Sequence, residues 1–419
     1  MNKYICVREA FEWIHIGNGE KELSISDKNS LIKYLETTVS KSNDSDIIEQ
    51  KYNKIRFINY VGIIKIKNVI IEVIPKISLN NDINKDKKML LHMLSKCMDL
   101  EINLDKAIDS TNANYNLLEL ILNKYISVLL KEINKGLYHE YINKEENLGS
   151  IKGKILFKEN IKNKCIRKPK VFCSYGEYSE DNNLNHIFKL ACMKGINKVQ
   201  DNTLINKIKK AIFHLSNIST IPINKNMVSK YKISKQNKRF SECLELAKFI
   251  LLNISNENAI GNNQGFSMLF EMNMLYEKYI WKLVKMISIN NNKKAIQQDD
   301  RNYLLINKKT RNEEFNLIPD IVIEENNIPT VIIDTKWKSI EHNSRLSYKN
   351  TDIYQMYAYI NSYKEAKRVV LLYPSLVREK EYPKWSLLGC EDKSIEIKTI
   401  RLDECNNTVE DLTKIILDI

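Results

Sequence analysis

Residues 317–338 read LIPDIVIEENNIPTVIIDTKWK. Two branched apolar runs, Ile321–Ile323 and Val331–Ile333, flank the turn residues Glu325-Asn326-Asn327-Ile328, a pattern that predicts a hairpin of buried strands. The mean of 320 and 334 is 327, the centre of that turn, so regular pairing sets Asp320 opposite Asp334. Directly opposed residues have Cβ atoms about 4.5–5.5 Å apart, and like charges there repel. The simplest compensation is a divalent cation, because Mg²⁺ takes one or two carboxylates and completes its octahedron with waters and phosphate oxygens. Lys336 lies two residues after Asp334, so strand alternation points both side chains the same way. An ammonium placed there could orient or deprotonate an attacking water and stabilise developing phosphate charge. The competing reading is a hairpin mouth with ordinary surface charges. Two acids and a lysine closing otherwise apolar strands argue against it.

Outward from the hairpin, the C-terminal part alternates strands and helices. Strands are expected at Tyr303–Ile306, Leu317–Glu324, Thr330–Thr335, Arg368–Tyr373 and Ile395–Arg401, with a helix at Thr351–Ser362. That order describes an α/β module with a mixed sheet. The preceding FSMLFEMNMLYEKYIWKLVKMI reads as one amphipathic helix. Further upstream, FINYVGIIKIKNVIIEVIPKI holds Val61–Ile66 and Val69–Ile74 about Lys67-Asn68, a second hairpin, ended by Pro75 and dense in apolar residues on both faces. Helical periodicity runs through Lys88–Met98, Asn114–Gly136, Asn182–Leu215 and Arg239–Asn253. The polar break SNENAIGNNQG is the natural boundary. It divides the chain into an N-terminal region, 1–255, β-rich and helical, and a C-terminal domain, 256–419. The fold class is thus a multidomain α+β and α/β protein.

The chain of 419 residues carries 65 Lys and Arg against 52 Asp and Glu, a formal charge of +13, which makes an acidic partner such as nucleic acid plausible. Abundant Asn, Ile and Lys leave codon bias as the alternative source of that charge. The densest basic run is KENIKNKCIRKPK at 158–170, with Glu159 its lone acid. Eight cysteines form no CxxC pair and read as thiols of a reducing cytosol. Six histidines show no HExxH or paired spacing, so zinc is not indicated. No stretch approaches a membrane span and the start lacks a signal-peptide core, so a cytoplasmic protein with no membrane partner is expected. No GxxxxGK[ST] loop occurs, so no nucleotide is expected on this chain, and no GxSxG elbow is present.

Pro319-Asp320, then Asp334-Thr335-Lys336, resemble the PD-(D/E)xK nuclease motif. In the helix TDIYQMYAYINSY, Gln355 and Tyr359 are four residues apart on one face and resemble the QxxxY element of part of that superfamily, with core packing as the alternative for Tyr359. In LYEKYIW, Glu277 stands where related nucleases have an acid that assists metal or water binding; Glu271 is a less favoured occupant, and a solvated glutamate is the alternative. YVGIIKIKNVIIEVIPKI, SYGEYSEDNNLNHIFKLA, LYEKYIW, PDIVI, IIDTKWK and DIYQMYAY, in that order, resemble the McrC subunit of modification-dependent restriction systems over nearly the whole chain. The resemblance implies an N-terminal part that docks on a hexameric AAA+ GTPase and stimulates it. It also implies a C-terminal PD-(D/E)xK domain that cuts double-stranded DNA with Mg²⁺, held by Asp320, Asp334 and Glu277 and served by Lys336, Gln355 and Tyr359. A non-cleaving regulator that keeps the nuclease-like fold to hold DNA, and a nuclease needing no partner, are the rival readings.

Overall fold

The structure, a computed structural model, describes residues 3–38, 47–75, 77, 82–97, 117–164, 170–222, 224–253, 265–338, 340–342, 345–346, 348–375 and 381–418. Cys165, residues 165–169 of the basic run and residues 255–264 of the polar break lie outside them. Contacts group the chain into two compact units, one of residues 1–117 with 255–419, the other of residues 118–254. The second unit ends at residue 254. Residues 1–117, however, group with 255–419 rather than with the segment that follows them.

Strand pairing supplies the reason. The first unit contains a four-stranded sheet of β1 (Lys3–Arg8), β2 (Tyr60–Ile66), β3 (Val69–Ile74) and β4 (Gly265–Glu271), in the order β1-β3-β2-β4. The expected hairpin is β2 and β3, paired antiparallel from Gly62↔Val73 to Ile66↔Val69. Every residue of β3 is buried, as its two-sided apolar pattern demands. β4 corrects the sequence reading. The stretch expected to begin a helix at Phe266 is extended through Glu271 and pairs antiparallel with β2, and helix α1 starts only at Met272 and runs to Asn290. Its apolar residues suit either period, and the open edge of β2 decides for strand.

Gly62 permits that pairing. Its φ is +131°, a conformation L side chains rarely adopt, and a Cβ built there would meet the Met268 carbonyl oxygen at 2.0 Å. Gly62→Ala is therefore expected to cost at least about 1–3 kcal/mol from backbone strain alone, with the clash on top. A urea melt checks this, and an unchanged midpoint would refute it.

The candidate site stands on a six-stranded mixed sheet in the same unit, ordered β5-β8-β9-β10-β12-β11. Its strands are β5 (Lys294–Gln297), β8 (Ile321–Glu325), β9 (Ile328–Thr335), β10 (Arg368–Ser375), β11 (Lys384–Leu387) and β12 (Cys390–Arg401). A separate two-stranded ribbon, β6 (Asn302–Ile306) and β7 (Glu313–Leu317), lies between β5 and β8 in sequence. Helix α2 (Asn350–Ser362) covers the sheet, burying Met356, Tyr359 and Ile360 against Val322, Ile332, Val369 and Leu371. Helix α3 (Cys405–Leu417) closes the chain.

The second unit holds helices at Asn183–Ile196, Asn202–His214 and Ser241–Asn253 and a three-stranded antiparallel sheet of Glu140–Leu148, Val171–Ser179 and Lys154–Ile155. The single helical segment expected near Asn182–Leu215 is two helices, because the Asn182 and Asp201 side chains each accept from a backbone N–H of the following turn. Its two long strands lack the apolar alternation that announces a strand, since most of Glu140–Leu148 faces solvent. The seven described cysteines are free thiols.

Candidate active site

β8 and β9 pair antiparallel with Ile321 opposite Ile333 and Val322 opposite Ile332. Continued by one residue, that register sets Asp320 opposite Asp334. The turn is Asn326-Asn327, with φ of 53° and 63°, the left-handed pair that a two-residue type I′ hairpin requires. A register shift between Ile323 and Glu324, next to the turn, moves the pairing by one residue and so sets Asp320 opposite Asp334 instead of Ile333.

The acids have different surroundings. Asp320 is half-buried, and its Oδ2 accepts from the Thr335 backbone N–H at 2.7 Å and from the Thr335 hydroxyl at 2.6 Å. Its carbonyl accepts from the Gln298 N–H at 2.9 Å. Asp334 is 1 % exposed, held on β9 by parallel pairing with Leu371 of β10. Burial, and then the charge of Asp320, push its carboxyl up to about 7. Lys336 opposes that shift, its Nζ lying 2.6 Å from Asp334 Oδ2. The Lys336 backbone N–H donates to Leu372 O at 2.9 Å, so the strand geometry runs on to this residue and keeps Asp334 and Lys336 on one face. Burial alone would lower the Lys336 pKa, but the charges of Asp334 and Asp320 leave it above the ordinary lysine value.

A chain of hydrogen bonds fixes the ammonium. Lys336 Nζ donates to Gln355 Oε1 at 3.4 Å, Gln355 Nε2 donates to the Tyr359 hydroxyl at 2.8 Å, and that hydroxyl donates to Ile318 O at 3.1 Å. Tyr359 is both a core residue, 2 % exposed, and a member of this chain, so the two readings of it coexist. Glu277, on α1, accepts from Gln298 Nε2 at 3.0 Å, and burial followed by the charge of Asp320 raises its pKa. Glu271 takes no part: its Oε1 accepts from Asn59 Nδ2 at 3.3 Å at the start of α1.

Three neighbours escaped the sequence reading. Lys338 pairs with Asp352 at 2.6 Å, one strand repeat beyond Lys336 and three residues before Gln355; the periods of strand and helix could have flagged both. Trp337 could not have been found this way. Its indole N–H donates to Glu9 Oε2 at 3.2 Å and its ring packs on Tyr276 at 5.3 Å, while Glu9 Oε1 accepts the Asn59 N–H at 2.7 Å. Asn59 Oδ1 in turn accepts the Asn273 N–H at 2.9 Å in the first turn of α1. This polar network ties the end of β9 and the start of α1 to the N-terminal sheet.

Two carboxylates and a third nearby, all oxygen donors, suit a hard cation such as Mg²⁺. The fit rests on Asp334: a carboxylate buried beside another acid is short of positive charge, which one lysine only partly supplies. Among the described residues no group of three or more His, Cys, Asp and Glu is arranged to hold a metal ion. Asp320 and Asp334 would therefore share the ion with water and phosphate oxygens.

The sequence model of the McrBC 5-methylcytosine restriction system component family matches residues 55–374. No curated protein matches the sequence. A solved structure described as a refined half-complex from a tetradecameric assembly of Thermococcus gammatolerans McrB AAA+ hexamers with bound McrC contains a similar chain, at TM-score 0.75 and 17% identity over 99% of both chains. A second, of the Thermococcus gammatolerans McrBC complex, matches at TM-score 0.52 and 20% identity, covering 67% of this chain and 87% of that one. At these identities the likeness is one of fold.

Proposed function

The chain belongs to the family of McrBC 5-methylcytosine restriction system components, and on that premise we propose that it is the Mg²⁺-dependent DNA endonuclease subunit of a restriction complex, stimulating a hexameric AAA+ GTPase partner of McrB type. The observation that carries this reading is the meeting of Asp320, Asp334 and Lys336 at one end of β8 and β9, with Lys336 on Asp334 at 2.6 Å. The named assemblies of McrB hexamers with bound McrC support the partner. A cytoplasmic location goes with this function, and no helix of the described residues is long and apolar enough to cross a membrane.

The chemistry is hydrolysis of a phosphodiester by in-line water attack, with no covalent intermediate. Asp320 and Asp334 would hold the ion, which would supply Lewis-acid polarisation of the phosphate and a more acidic water. Lys336 orients the attacking water and meets the charge that develops on the phosphate oxygens, an electrostatic task that needs its ammonium fixed in advance. Gln355 and Tyr359 do that fixing through their hydrogen bonds. Glu277 serves as the acid that assists water or metal from the side of Asp320. Recognition of the modified site falls to the partner.

The test is cleavage of methylated duplex DNA by the chain reconstituted with its AAA+ partner, with and without Mg²⁺, for wild type and Asp334→Ala. Stimulated GTP hydrolysis without any Mg²⁺-dependent cutting by wild type would select the regulator reading instead.

A further inference from the structure

The ribbon β6–β7 has no place in the chemistry above, yet it exposes a run of large apolar side chains. Tyr303, Leu304, Leu305 and Ile306 are consecutive and 39, 46, 55 and 63 % exposed, and Phe315 on the opposing strand is 66 % exposed. Both faces of this two-stranded ribbon present apolar side chains to solvent, since neighbours along a strand alternate sides. The connecting residues 307–312, NKKTRN, carry Lys308, Lys309 and Arg311, all exposed, and no acid. Among the described residues no ion pair is formed by these three. The tip is shaped by Asn307, whose Oδ1 accepts the backbone N–H groups of Lys309 at 3.0 Å and Thr310 at 3.2 Å. Of the two glutamates just below the tip, Glu314 is engaged by the Asn307 amide at 2.8 Å. Phe315 has a φ of 61°, a left-handed conformation that is strained for a bulky residue.

The base of the ribbon is fastened to the candidate site. β7 ends at Leu317, and Ile318, which follows, accepts the Tyr359 hydroxyl at 3.1 Å, so the ribbon ends on the hydrogen-bond chain that holds Lys336. Pro319 and Asp320 come next. Whatever the ribbon grips is held next to those carboxylates. A second copy of this basic chain would bring the same three cations against one another, whereas a polyanion pairs with them. A two-stranded ribbon also has the width that a duplex major groove admits.

We propose that β6–β7 is a DNA-gripping ribbon, set in a groove of the duplex beside the scissile phosphate, with Lys308, Lys309 and Arg311 on backbone phosphates and Phe315 as an apolar contact to the bases. This rests on the reading of DNA as the substrate and adds where on the chain the duplex is held.

The experiment measures binding of a fluorescein-labelled duplex by the full-length chain across a salt series. For the triple variant K308A/K309A/R311A the affinity drops and the slope of log affinity against log salt shrinks by about 2.7, each phosphate contact contributing about 0.9. Phe315→Gly separates contact from architecture. Glycine relieves the left-handed backbone, so the melting temperature rises while DNA affinity falls, and a purely structural Phe315 could not give that combination. The idea is overturned if the chain alone does not bind the duplex, if the triple variant keeps the wild-type slope, or if Phe315→Gly binds as wild type does. Reduced self-association with DNA binding intact would assign the ribbon to a second copy of the chain, which also overturns it. Failure of the nuclease reading is distinguishable, since that reading is tested by Mg²⁺-dependent cleavage, whereas these slopes are read from binding by the wild-type chain and the ribbon variants without Mg²⁺.

Discussion

Asp334→Ala in the reconstituted complex is expected to lower DNA cleavage by on the order of 10³-fold or more, the equivalent of several kcal/mol of transition-state charge stabilisation at about 1.36 kcal/mol per tenfold. Asp334 is 1 % exposed and faces Lys336 at 2.6 Å. In the proposed chemistry its removal takes away an ion ligand, and in the structure it takes away the ion-pair partner of the Lys336 ammonium. Neither loss can be made good from outside, because Asp320 is engaged by both the amide and the hydroxyl of Thr335. Glu277→Gln should cost far less, roughly 10–100-fold, the range of a supporting partner. In the structure Glu277 accepts from Gln298, whose backbone N–H donates to the Asp320 carbonyl. A cooperative melt of Asp334→Ala, with partner GTPase stimulation retained, would show that the loss is chemical. Cleavage at the wild-type rate by this variant would remove the site assignment, and equal losses for Asp334→Ala and Glu277→Gln would redistribute the roles.

The second large effect lies in the sheet that carries the site. Glu396 on β12 is wholly buried and accepts from Arg368 Nε and Nη2 at 3.0 Å each, with Lys384 at 3.0 Å and the Ser394 hydroxyl at 2.9 Å. Burial would raise its pKa, but the Arg368 fork and then Lys384 pull it down to about 2. Arg368 also donates to the Ile415 carbonyl at 3.1 Å, so one guanidinium ties β10, β12 and α3 together. Arg368→Ala leaves the carboxylate buried with its bidentate partner gone, which costs about 3–5 kcal/mol. The pH dependence follows from the sign of the shift. A carboxyl held below its ordinary 4.5 contributes stability that is complete above that value and is lost as pH falls through about 2. The gap between wild type and Arg368→Ala should therefore be widest near neutral pH and narrow on acidification below about 4.5. Urea melts over that range measure it. A gap that stays constant into acid would mean that Arg368 acts through packing, not through the charge of Glu396.

The hairpin at 317–338 was legible because everything that makes it is local. Asn326 and Asn327 accept the left-handed turn, the branched runs demand burial on both faces, and a one-residue register shift beside the turn completes the alignment of Asp320 with Asp334. The same holds for Gln355 and Tyr359, whose side chains meet at 2.8 Å because a helix brings residues four apart together. Where the sequence supported two periods, tertiary structure chose: Phe266–Glu271 became β4 because β2 offered an open edge, and Gly62 let the two backbones approach.

Nothing local could place Trp337 on Glu9, 328 residues away, or set β9 beside β10 in parallel. Those contacts depend on loop closure and burial across the whole unit. The sequence by itself determined the candidate groups, their hairpin and their approximate spacing, since backbone alternation and turn chemistry act over a few residues. Only the tertiary structure decided that Asp334 is sealed from water beside a second acid, that Lys336 is held by a helix from elsewhere in the chain, and that the N-terminal sheet braces both. Desolvation and long-range pairing are properties of the packed chain, and no short stretch of residues carries them.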